Sequence, residues 1–110
     1  YLEKLNGVGD IIIPEIRNNC KHTFHVFCIR TKYRNELKEL LNKKNIDTAI
    51  HYPTPLPFLE AYNYLNNKEE DFPVSFKYKD EILSLPMCPQ LTKKQIDYVV
   101  SSIKYFFEKK

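Results

Sequence analysis

Lys21–Thr31 reads KHTFHVFCIRT, and apolar residues fill both of its parities. Phe24, Val26 and Cys28 fall on one face, Phe27 and Ile29 on the other. This pattern predicts a strand covered on both sides and central in its sheet. Thr31 then offers a hydroxyl to cap a helix. Tyr33, Leu37, Leu40 and Leu41 recur at helical spacing and predict that helix over 32–44. Asn45 accepts the left-handed backbone that ends it. A central strand feeding an amphipathic helix is the nucleus around which the rest of the chain is read.

On the N-terminal side, Tyr1–Leu5 reads as the last turn of a helix, stopped at Asn6-Gly7. One turn does not persist alone, because nucleation is costly, so an earlier portion of that helix is expected. Ile11-Ile12-Ile13-Pro14 predicts a short extended edge segment. On the C-terminal side, Asp47–Tyr52 predicts a second strand, and Pro53, Pro55 and Pro57 break regular structure after it. Phe58–Leu65 reads as a short helix and 66–71 as a polar loop. Pro73 suits the first turn of a helix over 74–81. Ile82–Leu85 predicts a third strand, stopped by Pro86. Thr92 and Gln95 form a capping box for a last helix with Ile96, Val99, Val100, Ile103, Phe106 and Phe107 on one face.

These elements add up to an α+β two-layer domain, with a small, about three-stranded, mainly antiparallel sheet packed on helices. The 110 residues suffice for one domain. Eight Tyr, seven Phe and no Trp predict a bulky core with polar handles. The net charge of +3 comes from 17 basic and 14 acidic residues interspersed along the chain, so a nucleic-acid partner is not expected. Three cysteines give no disulfide framework and predict a reducing, cytoplasmic setting. No apolar run is long enough to span a bilayer, and a membrane partner is not expected.

The candidate site lies in Asn45–Pro53, NIDTAIHYP. His51 ends a β-prone run directly before a proline-stiffened loop, a place where binding groups tend to sit. His25 is its natural companion if the two strands are neighbours. The competing reading for each is a hydrogen-bonded structural histidine. Other chemistries fare worse. Cys20, His22, His25 and Cys28 fit no standard zinc pattern, and eight residues of strand would separate the two cysteines by roughly 26 Å. No glycine-rich phosphate loop is possible with Gly7 and Gly9 alone. No nucleophile has an activating partner, and Glu69-Glu70-Asp71 reads as solvated surface.

Several phrases in order resemble the C-terminal small domain of the DegT/DnrJ/StrS-type sugar aminotransferases. HTFHVFCIRT resembles the family's H-x-x-H strand ending in Arg. The helix ending at Asn45-Ile46 resembles its segment of spaced leucines closed by Gly-Ile. Ile50-His51-Tyr52-Pro53 resembles its HYP turn, and Phe72-Pro73-Val74-Ser75, Leu83-Ser84-Leu85-Pro86 and Pro89-Gln90-Leu91-Thr92 resemble its FPV, LSLP and P-x-LT phrases. Asn45 stands where the family usually has glycine, and Pro57 where relatives often carry histidine.

The resemblance implies the small domain of a fold-type-I, pyridoxal 5'-phosphate-dependent enzyme. Residues 1–10 would be the end of the interdomain helix and its linker, and 11–110 the small domain. It implies transfer of an amino group from glutamate to a keto sugar of a nucleotide-linked deoxyhexose, in a homodimer, with the Schiff-base lysine in a large domain outside this sequence. Neither Lys43 nor Lys44 would be catalytic, and this chain alone would be inactive and bind no cofactor. By the same resemblance His51 is the first candidate for a substrate contact, Tyr52 the second, and His25 a supporting third. The alternative is a stand-alone, non-catalytic α+β binding module. The residues preceding Tyr1 would distinguish the two.

Overall fold

The computed structural model describes all residues, 1–110. Its helices are α1 (Leu2–Leu5), α2 (Arg34–Lys43), α3 (Pro73–Tyr78) and α4 (Lys93–Glu108). Its strands are β1 (Phe27–Arg30) and β2 (Ile82–Leu85), paired antiparallel with Phe27 opposite Leu85 and Ile29 opposite Leu83. That register puts Phe27, Ile29, Leu83 and Leu85 on one face, where all four are buried. Leu37 and Leu41 of α2, Val99, Val100, Ile103 and Phe106 of α4, and Leu5 and Ile46 complete the core. One layer of sheet on one layer of helix is the α+β arrangement that the pattern of elements predicts.

The sheet is smaller than expected, and each departure has a local cause. Only the second half of Lys21–Thr31 is strand. Phe24 takes a left-handed backbone, φ 50°, and its N–H donates to His22 Nδ1 at 2.8 Å. The bend brings the Phe24 ring onto Phe27, centroids 5.9 Å apart, rather than onto the opposite face with Cys28. Coverage of the second face is partial: Val26 is exposed and Cys28 half-buried.

The expected strand over 47–52 contributes one bridging residue, Ala49, which exchanges both backbone hydrogen bonds with Ser84 (3.1 and 2.8 Å). Ile12 does the same with Arg30 on the other edge, at 2.9 Å in both directions. The order across the sheet is therefore Ile12, β1, β2, Ala49. β1 is central, and two edges are pinned by a single residue each.

Helix boundaries follow local chemistry. Thr92 Oγ1 accepts from the Gln95 N–H at 3.3 Å, while Gln95 Oε1 accepts from the Thr92 N–H at 2.9 Å, closing the capping box at α4. Pro73 opens α3. α2 begins later than the leucine spacing predicts. Thr31 Oγ1 accepts from the Tyr33 N–H at 3.1 Å and donates to Asp10, so it caps a preceding turn and ties it to the N-terminal arm. Asn45, at φ 56°, ends α2 as expected. Leu56–Phe58, Glu60–Leu65 and Glu69–Asp71 are 3-10 turns; the second stands where a short helix over 58–65 is predicted, the first meets that range only at Phe58, and the third lies within the predicted polar loop. Lys4 of α1 bonds Asp97 of α4 at 2.9 Å, and this contact holds the Asp97 carboxyl below its usual range.

Candidate functional site

Ala49 fixes the position of His51. Two residues beyond a bridging residue, a side chain lies on the same face and diagonal to the bridge partner, within reach of a long side chain. His51 Nδ1 accordingly lies 3.0 Å from Ser84 Oγ. Ser84 is buried, whereas His51 is exposed. The imidazole is therefore tethered on one side and open on the other.

His51 lines an open groove of about 250 Å³, together with His25, Thr48, Ser84 and Met87. The structure thus brings His25 and His51 to the walls of one groove. His25 is exposed and sits in the bend before β1, not within a strand. The hydrogen-bonding partner of His51 is Ser84 rather than His25. Tyr52 stands apart from that groove. It is 71% exposed, with its ring edge-on to His51 at a centroid distance of 5.6 Å, and the His51–Tyr52 peptide is cis.

Ser84 is the residue missed by reading the sequence. The signal was present: in Leu83-Ser84-Leu85 the two leucines claim the core face, so the serine points to the other side. What the sequence does not show is that the 47–52 segment would cross there. Lys43 and Lys44 lie at the far end of α2, with Lys44 Nζ 5.0 Å from the Tyr105 ring centre. The groove walls carry no lysine. Cys20 and Cys88 are exposed free thiols, and Cys28 is half-buried.

Residues 1–104 match the DegT/DnrJ/EryC1/StrS aminotransferase family. This chain belongs to that family. A dTDP-3-amino-3,6-dideoxy-alpha-D-galactopyranose transaminase of Aneurinibacillus thermoaerophilus is 31% identical to it over 106 residues, covering 96% of this chain and 28% of that protein. A pleiotropic regulatory protein of Geobacillus stearothermophilus is 38% identical over 102 residues, covering 92% of the chain and 27% of that protein. The crystal structure of S. venezuelae DesV in complex with a ketimine intermediate superposes with a TM-score of 0.90 at 30% identity. It covers 97% of this chain and 29% of DesV. The DegT/DnrJ/EryC1/StrS chain described here therefore spans under a third of the length of the relatives it matches, nearly all of it as one aligned unit.

Proposed function

We propose that this chain is the small domain of a nucleotide-sugar aminotransferase, and that His51 reaches the sugar-nucleotide substrate from the wall of the groove. In this reading residues 1–10 join it to a large domain and 11–110 form the small domain. Glutamate is the amino donor, a keto deoxyhexose linked to a nucleotide is the acceptor, and the working protein is a homodimer in the cytoplasm. The observation that carries the reading is the exposed imidazole of His51, anchored by Ser84 on the family's scaffold. An imidazole N–H there can donate to a sugar hydroxyl or a phosphate oxygen. Tyr52 is a second candidate contact, and His25, which lines the same groove, a third.

Pyridoxal 5'-phosphate supplies electron withdrawal for the amino transfer when bound. The residues of this chain do not fit it. The groove offers no lysine to hold the cofactor covalently, and no glycine-rich cradle for its phosphate. Cofactor binding is therefore assigned to the rest of the protein, and this chain contributes substrate contacts alone.

The test uses the whole protein. Replacing His51 with Ala is expected to leave the glutamate half of the reaction intact, read from the cofactor's absorbance. It should lower kcat/KM for the sugar half by roughly tenfold to a hundredfold, the loss expected for a hydrogen bond to a charged or polar group. Unchanged sugar turnover would remove His51 from the site. Transamination by the 110-residue chain alone would overturn the assignment of the cofactor chemistry to the remainder.

A further inference from the structure

We infer that Ser84 is a positioning residue for His51: its hydroxyl donates to Nδ1 and holds the neutral imidazole with its proton on Nε2, the nitrogen remote from the sheet. The argument is one of accounting for buried polar groups. Ser84 lies between Leu83 and Leu85 with only 5% of its surface exposed. Its backbone N–H and C=O are both taken by Ala49. The hydroxyl remains, and its hydrogen-bond partner is His51 Nδ1 at 3.0 Å. A buried hydroxyl proton without an acceptor costs free energy. If Nδ1 carried the proton, it would donate to Oγ, and the Ser84 O–H would have no protein acceptor, because Nδ1 is its one side-chain partner. The arrangement that satisfies both groups puts the serine proton in the bond and the imidazole proton on Nε2.

The consequence for function rests on the substrate role proposed for His51. A neutral imidazole locked in this way presents a donor to the groove, not an acceptor. It therefore suits an oxygen that accepts, either a phosphate oxygen or a sugar hydroxyl oxygen, and it disfavours an incoming N–H. His22 and His25 provide internal references. His22 Nδ1 accepts from the Phe24 N–H and is held in the same tautomer. His25 is exposed and serves as the unrestrained reference.

Long-range proton–nitrogen NMR of the 15N-labelled chain, at a pH well above imidazole titration, reads each tautomer directly. His51 is expected purely as the Nε2–H form, and Ser84→Ala is expected to release it to a mixture like that of His25. Ser84→Thr should restore the lock and Ser84→Val should not. That pair has nearly the same shape, so it separates the hydroxyl from packing if the alanine variant folds poorly. A proton on Nδ1 in the unaltered chain, or an unchanged tautomer in Ser84→Val, overturns the inference whatever the turnover. In the whole protein, Ser84→Ala should lower kcat/KM for the sugar half several-fold and Ser84→Thr should recover it. A locked tautomer in a protein whose His51→Ala variant turns over sugar normally sinks the substrate role while leaving the tautomer assignment standing.

Discussion

Gly9 shows how one residue can close a packing arrangement. Its φ is +56°, and a Cβ built there would lie 2.2 Å from the Phe107 ring. Phe107 stands edge-on to Phe106 at 5.0 Å and to Tyr33 at 6.3 Å, so those two rings bound one side of its movement while it stays half-buried. Gly9→Ala therefore combines a left-handed penalty of about 1–2 kcal/mol with overpacking of about 1–3 kcal/mol. Urea unfolding should show a loss of roughly 2–5 kcal/mol from the two together. Tyr1 makes a second prediction. Its hydroxyl donates to the Pro86 carbonyl at 3.1 Å, and burial raises its pKa to about 12 from 10.0. Because the folded pKa lies above the unfolded one, the folded state keeps the proton longer. The contribution is complete below pH 10 and is lost as pH rises toward 12. Replacing Tyr1 with Phe should flatten this part of the stability–pH curve. A slope that persists unchanged would assign it to another group.

Elements whose signals are local were legible in the sequence, and those defined by distant partners were not. The α4 helix carries its cap, its box and its apolar stripe within its own residues, and it forms where they predict. Thr92→Ala should accordingly cost about 1 kcal/mol, from loss of a cap with measured costs of roughly 0.5–2 kcal/mol. Thermal or urea unfolding with Gln95 intact would read it, and a cost near zero would show that the last helix is held by packing alone. β2 was also legible, since Pro86 stops it. β1 was half legible: nothing in HTFHVF announces that Phe24 takes φ 50° and turns its ring onto Phe27. That geometry follows from tertiary packing overriding strand preference. The same holds for 47–52, whose β-prone run pairs at Ala49 alone before the prolines draw the chain away. At the site, the exposure of His51 could be foreseen from those prolines. Its anchor could not, because the Ser84 contact joins residues 33 apart in sequence.

At the scale of the whole molecule, mass and core are unevenly distributed. The radius of gyration is 15.6 Å, against about 13 Å for a compact domain of around 100 residues. The excess has a visible source: no residue from Asp47 to Ile82 is buried. Tyr52, Leu56, Tyr64 and Leu65 are all more than half exposed. Residues 56–72 form an arm whose 3-10 turns are closed by backbone bonds between near neighbours, such as Phe58 to Pro55 and Tyr62 to Leu59. Its own packing is a small aromatic group in which Phe58 meets Phe72 at 6.2 Å and Phe76 at 5.6 Å. Turns of this kind open without disturbing the rest of a fold. Hydrogen exchange on the chain should therefore separate two populations, with amides of β1, β2 and the middle of α4 exchanging only through global unfolding, and those over 56–72 exchanging on the order of a hundredfold faster or more. Phe58→Ala removes the ring that both other aromatics contact. It should quicken exchange across the arm further while leaving the slow amides of the core unchanged, because none of the 12 core residues touches that group in the packing described. If the slow amides accelerated in step, the arm and the core would form one cooperative unit, and the groove wall at His51 would share the stability of the sheet rather than that of the arm.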